Sequence, residues 1–164
     1  MSVGLAYYHF ESKAGLLAAV VDRFYAPLRE IPLGETIPVS APWAARERAR
    51  THAFIDHFYG HPIAPLIAGR LGREPEVRDV ENAHMSALLA AGERNPIDGQ
   101  RRGVVSGDIN PKIIIGLLMG GLRQAIDAAV LKDPRPPRAE RLDGSVHGAL
   151  AKPKQMSYSA AAFT

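Results

Sequence analysis

The sequence predicts an all-α protein, and three observations support this fold class. Apolar residues recur every three or four positions along most of the 164-residue chain, which places them on one face of a helix. Capping residues, prolines and glycines divide these segments into helices of ordinary length. No segment alternates between apolar and polar residues as a half-buried strand would, so we expect helices and loops alone.

The first helix is predicted to begin after Ser12, whose hydroxyl can accept hydrogen bonds from the free backbone N–H groups of the next turn. Apolar residues then repeat at helical spacing as far as Leu28. Pro32 and Gly34 are expected to end the helix, because proline lacks the donor that a helix interior needs. We therefore expect one continuous helix over residues 12–31, followed by a loop.

Shorter breaks separate the remaining predicted helices. Pro96 is expected to break or kink the chain. Asn110 followed by Pro111 is a start signal, because the asparagine side chain caps the helix and proline needs no donor at the first helical position. Residues 152–164 are expected to form a flexible tail. The predicted ranges are 43–59, 62–71, 75–94 with a turn or two resuming as far as 102, 111–131 and 138–151.

The composition excludes several classes of site. The chain has no cysteine, which excludes disulfides, thiolate zinc sites and cysteine nucleophiles. It shows no uninterrupted apolar run of about 18 residues and no signal-peptide pattern at its start, so we expect a cytoplasmic protein without a membrane partner. The net charge of +3 permits contact with nucleic acid but does not by itself argue for it.

Catalytic and metal sites are not indicated by any spacing. Among the histidines of the central helices, only His57 and His61 are four residues apart, and Gly60 lies between them. There is no H-E-x-x-H pattern. Ser86 and Ser106 have no catalytic partner nearby in the sequence. We expect no metal and no cofactor, and an enzyme built on a helical bundle stays a third alternative behind the two given below.

The segment VGLAYYHFESKAGLLAAVV, residues 3–21, resembles the signature of the TetR family of bacterial transcription regulators. In that family a recognition helix ends in an aromatic–x–His/Tyr–Phe element, and a Ser–Lys link leads into a long helix that joins the DNA-binding head to the regulatory body. A weaker similarity covers residues 99–122, which resemble the link between the family's seventh and eighth helices. The matching residues of the first segment are Gly4, Tyr7, His9, Phe10, Ser12, Lys13, Leu16 and Leu17.

The resemblance implies a regulator, most simply a repressor, that binds a double-stranded DNA operator. Residues 1–11 would be the remnant of a helix-turn-helix head, and residues 12–151 the ligand-binding and dimerisation domain. Because two family helices that precede the motif have no counterpart here, we expect poor DNA binding unless the head is complete. Alternatively, Tyr7 and Phe10 simply cover the base of the long helix. The implied DNA contacts are Tyr7, His9 and Lys13 on the backbone and Ser2, Val3 and Leu5 on the bases.

The family resemblance also implies a small, mostly apolar effector bound between the helices of the body. Methionine suits such a pocket, because its flexible side chain adapts to irregular shapes. The alternative for the same residues is an ordinary packed core. The predicted lining consists of Phe54, Phe58, Tyr59, His84, Met85, Leu88, Leu118 and Met119.

Glycines inside two predicted helices indicate a homodimer. Each glycine in a helix interior costs about 0.5–1 kcal/mol relative to alanine, so three of them in GLLMGGL indicate close approach of another backbone. The last helix repeats the spacing with Gly144 and Gly148, and the similar family forms a dimeric four-helix bundle from its last two helices. The alternative is a monomer with tight internal packing. The predicted interface residues are Gly116, Gly120, Leu142, Val146 and Leu150.

Two functions of different classes therefore stay open. The first is a TetR-like regulator, dimeric and controlled by a small molecule. The second is a ligand-binding and dimerisation module that does not bind DNA. DNA binding at low salt separates them, because phosphate contacts are strongest there.

Overall fold

A computed structural model describes residues 12–33, 38–69 and 75–132. These residues form helices joined by turns and contain no strand, so the all-α prediction is confirmed. The helices are α1 (Lys13–Tyr25), a 3₁₀ segment (Ala26–Leu33), α2 (Trp43–Gly60), α3 (Ala64–Gly69), α4 (Pro75–Gly92), α5 (Arg94–Arg101) and α6 (Pro111–Val130).

Several predictions fall outside the described residues. These are the head remnant at residues 1–11, the tail at residues 152–164 and the last helix at residues 138–151. The division of the chain at residues 11 and 151 therefore stays a prediction.

The first helix begins as predicted but its α-helical part is shorter. The Ser12 hydroxyl accepts a hydrogen bond from the Gly15 N–H at 3.0 Å, so the predicted cap is confirmed. The α-helix ends at Tyr25 rather than near residue 31, and the chain continues as the 3₁₀ segment. The cause is Pro27, which has no N–H to donate to the carbonyl four residues earlier. The prediction relied on the later Pro32 and missed this earlier break.

The predicted break before α5 lies at Glu93, three residues before Pro96, and the predicted helix start at Asn110 is confirmed. Helix α4 ends at Gly92, and the chain resumes as α5 with Pro96 in its first turn, where proline is tolerated. Helix α6 begins after Asn110, whose Oδ1 accepts a hydrogen bond from the Lys112 N–H at 2.9 Å. Each of these signals is local, which explains why the sequence alone was sufficient.

The core lies where α1 crosses α2, α4 and α6. Aromatic rings dominate its centre: Phe24 meets Tyr25 and Phe58 edge-to-face, at centroid distances of 5.1 and 5.0 Å. Burying each such side chain contributes about 1.5–3 kcal/mol. The most completely buried large side chains are Phe24, Tyr25, Leu28, Phe58, Leu88 and Ile126.

Helix α6 has one buried face and one exposed apolar face. Its inner face carries Ile114, Leu122 and Ile126, whereas Ile113 and Leu117 are 56% and 72% exposed. Among the described helices, it is the one that is long and apolar enough to cross a membrane, and 22% of its apolar window is buried. A core helix of a soluble protein passes the same test, so this observation is weak evidence for a membrane span.

Candidate functional site

A small cavity lies between α2, α4 and α6, below the end of the 3₁₀ segment. Its volume is about 40 Å³, which exceeds the space needed for one water molecule. One wall is apolar and the opposite end is polar. The apolar wall consists of Phe54, Leu88, Ile115, Leu118, Met119 and Leu122, and the polar end of Glu47, Arg50, Thr51 and Asn95.

The structure brings together four of the eight predicted effector residues: Phe54, Leu88, Leu118 and Met119 all line the cavity. The other four do not belong to its lining. Phe58 is fully buried in the aromatic core, and Tyr59 packs against that core from its edge. Met85 is half-buried on α4. These positions follow from helix geometry, because residues one or two apart on a helix point to different sides.

The remaining predicted residue, His84, faces α1 instead of the cavity. Its Nε2 lies 2.8 Å from Asp22 Oδ1, and its Nδ1 accepts a hydrogen bond from Arg29 Nε at 3.2 Å. His84 is buried at the base of a second, open cleft of about 240 Å³ between α1, the 3₁₀ segment and α4. It therefore connects these elements as a hydrogen-bonded residue.

The polar end of the cavity is formed by residues 47–51 of α2 together with Asn95 of α5. Arg50 Nη1 donates a hydrogen bond to Glu47 Oε1, and the two side chains are only 12% and 7% exposed. Arg50 Nε is shielded from solvent and has no hydrogen-bond partner in the described part of the chain. Burial raises the pKa of Glu47, although Arg50 and Arg46 oppose this, and burial lowers the pKa of Arg50. Burial therefore disfavours the charged form of both members of this ion pair, and their mutual attraction favours it.

A neighbouring ion pair anchors the same turn of α2 to α5. Arg46 Nη2 donates to Asp98 Oδ2, and Arg102 Nε donates to Asp98 Oδ1 at 2.9 Å. These contacts hold the pKa of Asp98 below its ordinary value, the hydrogen bond from Arg102 having the largest effect. Trp43 Nε1 also donates to the Asn95 carbonyl at 2.8 Å. We refer to Arg46, Glu47, Arg50 and Asp98 as the cavity cluster.

A second cluster of polar residues was not predicted from the sequence. At its centre is Arg123 of α6, whose Nη1 donates a hydrogen bond to Tyr25 Oη. Its Nη2 lies 2.7 Å from Glu81 Oε1. Its Nε donates to Asp127 at 2.8 Å. Tyr25 in turn donates to Glu81 Oε1 at 2.7 Å. We refer to these residues as the Arg123 cluster; it joins α1, α4 and α6.

Burial and charge act together in the Arg123 cluster. Burial raises the pKa of Tyr25 and of Asp127. Burial alone would lower the pKa of Arg123, but the Coulomb effects of its three partners raise it above the ordinary value. The guanidinium also lies over the rings of Tyr25 and Phe58, at 5.6 and 5.3 Å from their centroids. Each guanidinium nitrogen of Arg123 is thus paired, and the group also contacts two aromatic rings.

Two histidines lie beside Phe24 without forming a metal site. The rings of His57 and His61 are 5.7 Å apart, and burial lowers the pKa of His57, whereas a hydrogen bond to the Phe24 backbone acts in the opposite direction. Among the described residues, no three His, Cys, Asp or Glu side chains are grouped so that they could hold a metal ion.

Of the predicted DNA-binding residues, Lys13 alone belongs to the described part of the chain. It is the first residue of α1 and is exposed. Ser2, Val3, Leu5, Tyr7 and His9 lie outside that part.

The predicted dimer residues Gly116 and Gly120 lie on α6. No atom of the described residues beyond their own helix surroundings comes within 4 Å of a Cβ added at either position. The predicted close approach is therefore not made inside this part of the protomer. Leu142, Val146 and Leu150 lie outside the described residues.

No protein-family model matches the chain, and no curated protein matches it.

Proposed function

We propose that this chain is a TetR-like transcriptional regulator, acting as a repressor, that is dimeric and responds to a small effector in the cavity between α2, α4 and α6. The motif of residues 3–21 supports the DNA-binding part of this proposal. The cavity and helix α1, which includes the second half of the motif, support the regulatory part. One arrangement of helices carries the argument.

That arrangement is the packing of α1 along α4. Helix α1 begins inside the motif, at Lys13, and its Tyr25 and Asp22 bond to Glu81 and His84 of α4. Further along α4, Leu88 and Gly92 line the cavity. A displacement of α4 by an effector would therefore pass directly to the helix that holds the head.

The cavity is too small to hold an effector without a change of conformation. Sites for small molecules usually have volumes of about 300–1,000 Å³, far above the about 40 Å³ seen here. An effector would bind only a conformation in which the helices have moved apart. Its binding would then shift the protein toward that conformation.

The exposed face of α6 supports the dimer. Ile113, Leu117 and Leu131 are all about half exposed or more, and they share a side of the helix with Gly120. Exposed apolar stripes of this kind mark interaction sites. The occupant we propose is a second copy of the chain, because a symmetric contact places the same glycine groove on both sides.

The dimer is tested by light scattering coupled to gel filtration. We expect twice the 17.7 kDa chain mass. Gly120→Glu should give a monomer or an aggregate, because it buries a charge in the interface. Gly107→Glu is the matched control, since Gly107 also has open space around it but lies in the turn before α6. A wild-type monomer at micromolar concentration would contradict the proposal.

The regulatory function is tested by selecting duplexes from a random library with the 164-residue chain at low salt. We expect weak binding that is detected at low salt, prefers a palindromic site and is lost toward physiological salt. Lys13→Ala should weaken all duplexes alike, because a phosphate contact carries no sequence information. A dimer that binds small molecules but no duplex would instead be the ligand-binding module without DNA binding.

A further inference from the structure

The polar end of the cavity contains a hydrogen-bond donor that no described group satisfies. Arg50 lines the cavity, and its Nε is shielded from solvent without a partner. The Nε of Arg46, one turn earlier on α2, is also shielded from solvent and has no partner among the described residues. Buried donors are normally paired, so an unpaired one in a cavity wall points to a partner that enters the cavity.

The charges around this end favour an anion as that partner. The positive charges of Arg46 and Arg94 repel that of Arg50 and lower its pKa. The nearby anions are Glu47 and Asp98. Asp98 is already shared between Arg46 and Arg102. Arg94 donates to the Pro32 carbonyl at 2.7 Å, which places a further cation beside the cavity wall. A second anion would relieve the repulsion between these guanidinium groups, whereas a cation would add to it.

The opposite wall favours an apolar body on the same molecule. Phe54, Leu118 and Met119 line it, and the whole apolar wall lacks a charged side chain. Met119 can adopt other rotamers and so enlarge the cavity at low cost. An amphipathic molecule could therefore place its anionic group at the polar end and its apolar part against the apolar wall.

We propose that the cavity binds an amphipathic monocarboxylic acid, whose carboxylate accepts hydrogen bonds from Arg50 and whose apolar chain or ring lies against Phe54 and Met119. This inference rests on the proposed function, since it assigns the effector's chemical class. A carboxylate is the favoured anion because it is planar and matches the flat guanidinium, giving strong charge-assisted bonds.

The proposal is tested by calorimetric titration of the full chain with three probes that have the same eight-carbon chain: octanoate, 1-octanol and octylamine. We expect octanoate to bind about tenfold more tightly than the other two, since charged hydrogen bonds are roughly twice as strong as neutral ones. Arg50→Met should reduce octanoate binding to the level of 1-octanol, so that the preference between the two probes disappears. Arg102→Met is the matched control, because Arg102 does not line the cavity, and it should keep the octanoate preference.

A second variant keeps the test decisive if Arg50→Met does not fold. Glu47→Gln retains the shape of the side chain but removes the carboxylate that competes for Arg50, so octanoate should bind several-fold more tightly. Equal binding of octanoate and 1-octanol to the wild type, or a preference that survives Arg50→Met, overturns the carboxylate assignment and leaves the effector cavity in place. Binding of none of the three probes counts against both the assignment and the cavity.

Discussion

The cavity cluster and the Arg123 cluster are both buried groups of arginines and carboxylates, but they differ in completeness. In the Arg123 cluster each guanidinium nitrogen bonds to a different partner, on two other helices and on α6 itself. In the cavity cluster two Nε groups have no partner among the described residues. A fully satisfied polar network makes a structure rigid, whereas a buried donor without a partner costs free energy unless an entering group pairs with it. The comparison separates a structural cluster from a candidate binding cluster.

The largest loss of folding stability is expected from Arg123→Met. This change leaves Glu81, Asp127 and the Tyr25 hydroxyl buried without their shared cation. Breaking a buried ion pair in this way costs about 3–5 kcal/mol, which urea unfolding measures as a lower midpoint. Arg102→Met is the control: Arg102 is 44% exposed, and an exposed pair on one helix contributes about 0.3–0.5 kcal/mol. A loss below 1 kcal/mol for Arg123→Met would show that the cluster is not structural.

Arg50→Met is expected to cost less, about 1–3 kcal/mol, because an unsatisfied donor disappears together with the ion pair. The double variant Glu47→Leu/Arg50→Met sharpens the comparison. Replacing both members of a buried pair by apolar residues is often neutral or stabilising, so the double variant should regain the stability lost by the single one. If instead the double variant is as unstable as Arg50→Met, the cavity cluster is as structural as the Arg123 cluster.

Tyr25→Phe tests whether α1 is tied to the Arg123 cluster through its hydroxyl. The ring stays in the aromatic core, but Arg123 and Glu81 each lose one hydrogen bond. We expect a loss of about 1 kcal/mol. In the Arg123→Met background the same change should cost clearly less, since residues of one network are not additive. Equal costs in both backgrounds would mean that Tyr25 acts through packing alone.

The sequence predicted the features that depend on neighbouring residues. The caps at Ser12 and Asn110 and the break before Pro96 are each set by one or two side chains, and all three occur in the structure. Pro27 in the sequence also indicates the early end of α1, although the prediction did not use it. Of the effector residues that the family resemblance implied, Phe54, Leu88, Leu118 and Met119 line the cavity.

The two clusters could not be predicted in the same way. Tyr25 lies 56 residues from Glu81 and 98 from Arg123, and periodicity within one helix says nothing about which faces of distant helices meet. One signal was available: Arg123 and Asp127 are four apart on the most apolar predicted helix, where charges are unusual unless paired. Likewise, nothing in the sequence distinguishes the charged start of α2 from a solvent-exposed turn, although Arg46 and Glu47 are buried.

The smallest predicted effect is a pH dependence inside the cavity cluster, where Asp98 and Glu47 have pKa shifts of opposite sign. The pKa of Asp98 is lowered in the folded protein, so its contribution to stability is present above the unfolded pKa of about 3.9 and is lost as the pH falls through the folded pKa. The pKa of Glu47 is raised, so folding favours its protonated form, and its contribution falls as the pH rises above about 4.3.

Two variants separate these effects by urea unfolding between pH 3 and pH 7. Asp98→Asn should be less stable than the wild type by about 0.5 kcal/mol at pH 7, because solvent screens this partly exposed pair, and the gap should close toward pH 3. For Glu47→Gln the stability relative to the wild type should improve as the pH rises from 4 to 7, because glutamine cannot acquire the buried charge. Parallel pH profiles for both variants would mean that burial at Glu47 is offset by Arg50, and the cavity cluster would then be as well satisfied as the Arg123 cluster.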